Sequence, residues 1–193
     1  MKKMLAMLLA LVMVLSLAAC ASTQPAAEPA ASSDAPAESG KTYTVGVCQL
    51  VQHEALDAAT QGFVDALKEA LGDAVTIDVQ NASGDSVNCG TIVNGFVAKG
   101  VDLIMANATP ALTAAVSATA DIPILGTSIT AYGVALDIDD FSGTVGGNVS
   151  GTSDLADLQK QAQMILDWFP ETKTVGLLFC SAEPNSRYQI DEV

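Results

Sequence analysis

Basic residues are scarce in this sequence, because its 193 residues include only 8 Lys and Arg against 22 Asp and Glu, a formal net charge of −14. Proteins hold nucleic-acid backbones mainly through Lys and Arg, and an acidic surface repels phosphate. Nucleic acid is therefore excluded as a partner. Aromatic residues make up only 5% of the chain, yet 50% of it is hydrophobic, which suffices at this length to bury a core.

The residue sets that usually carry catalysis or hold a metal are missing or badly placed. No Gly-x-x-x-x-Gly-Lys loop is present, and the glycines within 143–147 do not join a strand to a helix as the dinucleotide fingerprint requires. Cys48, His53 and Asp57 suggest a thiol protease, but Cys48 lies in an apolar run that would not activate its thiol. A single His with scattered cysteines cannot build a zinc site. We therefore expect no enzyme activity, no cofactor and no metal.

The first twenty residues have the pattern of an export signal. Lys2 and Lys3 precede an apolar run over residues 4–19 that is shorter than the roughly 20 residues of a transmembrane helix. The end of this run and the Cys that follows it, Leu-Ala-Ala-Cys at 17–20, resemble the lipobox of bacterial lipoproteins. The resemblance implies a signal peptide over 1–19, lipidation at Cys20 and a protein anchored on the outer face of the cytoplasmic membrane, at the cell surface or in the periplasm. The alternative is an ordinary signal with a chance Cys.

A polar linker is predicted to follow the anchor. Residues 21–40 are rich in Ala, Ser and Pro and hold no aromatic or branched aliphatic residue. Such a composition cannot bury enough apolar surface to offset the entropy of ordering the chain. We therefore interpret residues 20–41 as the lipidated Cys and a flexible tether.

From Thr42 onward, strand patterns alternate with amphipathic helix patterns. Four strands separated by helices predict an α/β fold with a parallel sheet covered on both faces, which we assign to a first lobe over 42–137. The predicted strands are 43–50, 75–80, 101–106 and 122–126, and the predicted helices are 54–71, 85–99 and 109–119.

The pattern changes after this lobe. Residues 138–153 are rich in small residues and predict a crossover or hinge region. A helix over 154–169, a strand over 175–180 and a helix from 187 predict the start of a second α/β lobe that is incomplete at residue 193. We expect the apolar face of the helix at 154–169 to be exposed, and solute binding by these residues alone to be weak or absent. Cys48 and Cys180 fall in apolar strands and are expected to be buried thiols.

Four stretches carry a family resemblance: 49–57, 102–110, 148–154 and 183–186. They resemble the solute-binding components of ABC importers with the type I periplasmic-binding-protein fold, in the subgroup linked to tryptophan and tyrosine uptake. One departure is Glu54, where that subgroup commonly has Pro. The resemblance implies two doubly wound parallel-sheet lobes, the second truncated here. It also implies a monomeric receptor that captures a small-molecule solute, with an aromatic amino acid as the candidate, and delivers it to an ABC permease and its ATPase.

Polar residues stand where the predicted strands end. Ligands of open parallel sheets bind beyond the carboxyl ends of the strands. The helix start at Thr109-Pro110 has Thr109 as its predicted N-cap, and the free N–H groups there favour a ligand carboxylate. Asn, Ser and Thr are also common caps and turn formers, which is the alternative for each residue. The predicted ligand-binding residues are Gln49, Asn81, Asn107, Thr109 and Ser128 in the first lobe, with Asn185 and Ser186 in the second.

Two other functions remain open from the sequence. A sensory receptor of the same fold would close on its solute and transmit this conformational change to a signalling partner in the membrane instead of a permease. A tethered hydrolase is the third hypothesis, and it lacks a credible nucleophile and base. A neighbouring permease gene would favour the importer, and a neighbouring histidine kinase would favour the sensor.

Overall fold

The computed structural model describes residues 40–193. The predicted signal peptide, the lipidation site Cys20 and the tether up to residue 39 lie outside the described residues. Within 40–193, no helix is both long enough and apolar enough to cross a membrane.

Five strands form one sheet in the order β2-β1-β3-β4-β5, and every neighbouring pair is parallel. The register aligns the carboxyl ends of three strands, since Gln49 pairs with both Asn81 and Asn107. The parallel α/β fold predicted from the sequence is confirmed. The strands are β1 Tyr43–Gln49, β2 Val75–Asn81, β3 Leu103–Asn107, β4 Ile124–Ile129 and β5 Val149–Ser153.

Residues 40–193 form six α-helices beside the sheet, with a short 3₁₀ turn at Gly72–Ala74. Local capping sets the starts of the first two, because His53 Nδ1 accepts the Ala55 N–H and Asp85 Oδ1 accepts the Val87 N–H. Gly100, at φ 66°, ends the second helix in the left-handed conformation that glycine favours. The helices are α1 Glu54–Leu71, α2 Ser86–Lys99, α3 Thr109–Ala118, α4 Tyr132–Ala135, α5 Leu158–Trp168 and α6 Pro184–Glu192.

The sheet has an apolar layer on each face because alternate strand residues point to opposite sides. One layer joins Val45, Val47 and Met105 to Phe63 and Leu67 of α1. The larger layer lies against α2 and α3, and its fully buried members include Cys48, Cys89, Val93, Phe96, Ile104 and Leu112. On that face, Gly46 leaves room for the Phe96 ring, because a Cβ at position 46 would lie 2.5 Å from two ring carbons.

Residues 138–153, predicted as a crossover, also supply an edge strand. β5 pairs in parallel with β4, and Asp154 N donates to Ile129 O at 3.0 Å. The glycines of this segment give little strand signal in the sequence. However, β5 needs a glycine at position 151, since a Cβ on Gly151 would collide with the Gly126 backbone and the Tyr132 hydroxyl. The division into lobes at 137 and 154 remains a prediction.

The segment after β5 departs from two sequence-based expectations. Residues 175–180 are not a strand, because no described strand pairs with them and an unpaired strand leaves its backbone groups unsatisfied. Cys180 is exposed, so the expectation of a buried thiol was wrong. The two helices are present, although α5 begins at Leu158 and α6 at Pro184, earlier than the predicted 187.

The same segment lacks a core of its own within the described part of the chain. No residue of 154–193 is buried, and Leu166, Trp168 and Phe169 of the α5 region are exposed at 49%, 75% and 66%. The predicted exposure of the apolar residues over 154–169 is therefore confirmed for Leu155, Leu166 and Phe169, whereas Leu158 and Ile165 are half-buried.

Candidate functional site

A cavity of about 760 Å³ opens at the carboxyl ends of β1 and β2, beside the first two turns of α1. Its volume lies within the roughly 300–1,000 Å³ range of small-molecule sites. Its position follows the rule for open parallel sheets, in which strand ends and the helix that follows them enclose the ligand. The lining residues are Gln49, Val51, Gln52, Asp57, Thr60, Gln61, Val79, Asn81 and Ser83.

A chain of side-chain hydrogen bonds runs from this cavity into the protein. Gln49 Nε2 donates to Asp57 Oδ1 at 2.5 Å, and Thr60 Oγ1 donates to Gln49 Oε1 at 2.6 Å. Asn107 Nδ2 donates to Thr60 Oγ1 at 2.9 Å and to Leu56 O at 2.8 Å. Three of the four side chains are buried, and only Asp57 is exposed. The network therefore fixes the Gln49 amide and holds one carboxylate at the cavity wall.

The chemistry of the cavity wall is mostly neutral and polar. Asp57 is the single charged residue among those that line it. A carboxylate among amide and hydroxyl groups suits a ligand with a cationic group and several hydrogen-bonding atoms. A ligand that carries an ammonium group meets this description.

Three buried side-chain atoms in the described part of the chain have no hydrogen-bond partner: Asn107 Oδ1, Thr109 Oγ1 and Asn185 Oδ1. All three belong to residues predicted from the sequence to bind a ligand. Leaving a buried polar atom unpaired costs about 1–3 kcal/mol, so each one calls for an explanation. A bound solute or an ordered water would supply the missing partners.

In the described part of the chain, three of the five non-glycine residues with a positive φ lie at the same edge of the sheet. Ser83 follows β2 with φ 56°, Ala108 follows β3 with φ 90°, and Ser128 lies near the end of β4 with φ 56°. Positive φ is uncommon in residues with a side chain, and such strain clusters at functional sites. These three positions thus lie at the edge of the sheet at which the cavity and the unpaired atoms of Asn107 and Thr109 are found.

Of the predicted first-lobe residues, Gln49 and Asn81 line the cavity. Asn81 Oδ1 also accepts the Ser83 N–H at 2.8 Å, which shapes the turn after β2. Asn107 is fully buried and reaches the cavity wall through Thr60. These three residues are therefore brought together, as their strand ends predicted.

Thr109 and Ser128 are not among the residues lining this cavity. Thr109 is the first residue of α3 rather than its N-cap, a position that Ala108 takes without a side-chain hydrogen bond. The expectation that Thr109 caps α3 was wrong, because its side chain is turned into the protein, where it is only 2% exposed.

Asn185 and Ser186 belong to α6 and not to the end of a strand, since no strand forms at 175–180. Ser186 Oγ donates to Glu183 Oε2 at 3.3 Å. Neither residue lines the cavity beside α1. Their role as the second side of a cleft remains a prediction.

The structure adds Asp57 and Thr60 to the ligand-binding residues that the sequence predicts. Asp57 ends the resemblance stretch 49–57 and belongs to the thiol-protease alternative, but no binding role is predicted for it or for Thr60. Thr60 could have been found, because it is a polar residue within the apolar face that Leu56 and Phe63 define on α1. Such a residue, once buried, must hydrogen-bond to another polar group.

The structure does not arrange Cys48, His53 and Asp57 as the catalytic residues of a thiol protease. Cys48 is fully buried in the apolar layer on the α2 side of the sheet, the layer that also holds Cys89. His53 Nδ1 is occupied as the cap of α1, and Asp57 accepts from Gln49. The three side chains therefore lie in different surroundings and do not form a nucleophile, base and orienter.

A parallel sheet with a cavity at its strand ends is typical of small-molecule-binding α/β proteins. The family model described as "ABC transporter substrate binding protein" matches residues 44–193, and this chain belongs to that family. The chain is 37% identical over 162 residues to the tyrosine-binding protein of Clostridioides difficile (strain R20291). The aligned region covers 81% of this chain and 46% of that protein.

Solved structures show the same relationship. The chain resembles the ABC domain of Streptococcus pneumonia in complex with L-Trp, with a TM-score of 0.72 and 37% identity, covering 79% of this chain and 52% of that one. It also resembles a conserved domain protein from Vibrio cholerae, with a TM-score of 0.73 and 33% identity over 78% of this chain and 52% of that one. The chain thus spans about half the length of the relatives it matches.

Proposed function

We propose that this protein is the solute receptor of an ABC importer and that it captures an aromatic amino acid for delivery to a membrane permease and its ATPase. The observation that carries the proposal is the polar cavity at the strand ends, with the Asp57 carboxylate fixed by Gln49 on its wall. Two relatives, a tyrosine-binding protein and an ABC domain in complex with L-Trp, support the ligand class.

Within this proposal, two groups recognise the two charges of an amino acid. Asp57 pairs with the α-ammonium group, for which a carboxylate is the matching partner. The α-carboxylate meets the free backbone N–H groups at the N-terminus of α3, which begins at Thr109. Closure of a second lobe, with Asn185 and Ser186 facing the solute, would exclude water from both sides.

Calorimetry tests the ligand class. The protein expressed from its complete reading frame should bind L-tryptophan or L-tyrosine, and the matching decarboxylated amine should bind at least ten times more weakly because it lacks the carboxylate. L-lysine serves as the control amino acid with a charged side chain. Failure to bind either aromatic amino acid, or equal binding of amino acid and amine, would contradict the proposal.

The proposal includes export and attachment to the outer face of the membrane through Cys20. Metabolic labelling with a fatty acid in a bacterial host should mark the wild-type protein and not Cys20→Ser. The exposed Cys180 provides the matched control, since Cys180→Ser should remain labelled. Equal labelling of the wild type and Cys20→Ser would contradict the anchor while leaving the binding experiment unaffected.

A further inference from the structure

Two cysteines that lie 41 positions apart in sequence meet inside the larger apolar layer. Cys48 is on β1 and Cys89 is in the second turn of α2, and both are fully buried. The Cys89 side chain and burial raise the pKa of the Cys48 thiol, and the Cys48 side chain lowers that of Cys89. Both thiols are free in the structure, and the two side chains belong to one apolar cluster.

The packing of α2 on β1 explains why they meet. Gly46 and Cys48 point to the same face of β1 because they are two residues apart, and Cys89 and Phe96 lie on one face of α2 because they are seven apart. The Phe96 ring sits directly over Gly46, so the helix approaches the strand closely. The same close packing of α2 on β1 places Cys89 beside Cys48. A disulfide needs such an approach, with the Cβ atoms facing each other.

We propose that Cys48 and Cys89 are a disulfide site that covalently joins β1 to α2 when the protein folds under oxidising conditions. The exposed Cys180 belongs to a different part of the chain and stays a thiol. Export, if the proposed anchor is correct, brings the chain to a compartment in which such bonds persist.

The oxidant is a second disulfide, either a small molecule or a protein dithiol in its oxidised form. The Cys89 thiolate attacks one sulfur of that disulfide, the S–S bond breaks, and one thiolate leaves. Cys48 then loses its proton, and its thiolate attacks Cys89 Sγ and expels the second thiolate. Two protein thiols are oxidised, the oxidant is reduced to two thiols, and the two protons end on those leaving groups. Because both cysteines are buried in the folded protein, the exchange takes place before α2 has packed on β1.

The test counts thiols in the Cys20→Ser chain after refolding in a mixture of reduced and oxidised glutathione. The protein is denatured without reductant, treated with a maleimide and analysed by mass spectrometry. We expect a single label, on Cys180, and a proteolytic fragment in which the peptides of Cys48 and Cys89 are linked. After reduction, all three cysteines should be labelled, and the urea midpoint should fall because a long closed loop no longer restricts the unfolded chain.

Single substitutions identify the partners. Cys48→Ser and Cys89→Ser should each expose one additional label, on the remaining cysteine of the pair, whereas Cys180→Ser should leave the oxidised protein without any label. Three labels on the refolded protein before reduction, or a linked fragment containing Cys180, would overturn the proposal. Neither readout depends on solute binding, so the result is independent of the proposed function.

Discussion

Replacement of Phe96 by alanine is expected to lower the free energy of unfolding by about 3–5 kcal/mol, the largest loss of any single substitution considered for this protein. The ring is fully buried between α2 and β1, directly over Gly46. Its removal forfeits the burial of an aromatic side chain and leaves a cavity that the sheet cannot fill. Urea denaturation of the full chain, followed by circular dichroism, measures the change.

Two further variants make this prediction specific. Val87→Ala, on the same helix at a position that is 75% exposed, should change stability by no more than about 0.5 kcal/mol. Gly46→Ala should cost about 1–3 kcal/mol in the wild type, because its Cβ would lie 2.5 Å from ring carbons of Phe96. In the Phe96→Ala background that collision disappears, so Gly46→Ala should be nearly neutral there. Simple additivity of the two losses would contradict the described packing.

Replacement of Asp57 by asparagine is expected to weaken the binding of an aromatic amino acid by roughly ten- to a hundredfold. A hydrogen bond to a charged group contributes about 1.5–3 kcal/mol, which corresponds to that range of affinity. The asparagine keeps the size of the side chain and can still accept from Gln49 Nε2, so only the negative charge at the cavity wall is removed. Calorimetry with the protein expressed from its complete reading frame measures the loss.

Asp65 provides the matched control for this experiment. It lies on the same helix and accepts a hydrogen bond from Gln61 Nε2 at 2.7 Å, but it is not among the residues lining the cavity. Asp65→Asn should therefore leave the affinity within about twofold of the wild type, because an exposed charge outside the site is screened. Equal losses in both variants would indicate a general charge effect, and an unchanged affinity in Asp57→Asn would show that Asp57 does not contact the ammonium group.

Much of the first lobe could be predicted because its elements are encoded locally. Alternating and three-to-four-residue apolar spacings gave β1, α1, β2 and α2 to within about a residue of the observed bounds, since side-chain periodicity depends only on the backbone repeat. The convergence of Gln49, Asn81 and Asn107 was predictable as well. Parallel strands present their carboxyl ends at one edge of the sheet, so residues that end such strands become neighbours there.

Features that need a distant partner could not be predicted in this way. Residues 175–180 have the composition of a strand, but a strand forms only where a neighbour accepts its backbone hydrogen bonds, and none of the described strands does so. β5 shows the opposite case, since its glycine-rich sequence gives little local signal and it forms because β4 offers a free edge.

The sequence by itself determined the family, the order of the elements and the polar character of the edge at which the strands end. Only the tertiary structure decided that Asp57 and Thr60 of α1 line the cavity with Gln49, that Thr109 is turned inward, and that Cys48 and Cys89 lie in one apolar layer. The reason is that local patterns report which side of an element is apolar. The packing of α1 and α2 against opposite faces of the sheet then selects which side chains on those helices come within bonding distance of the strands.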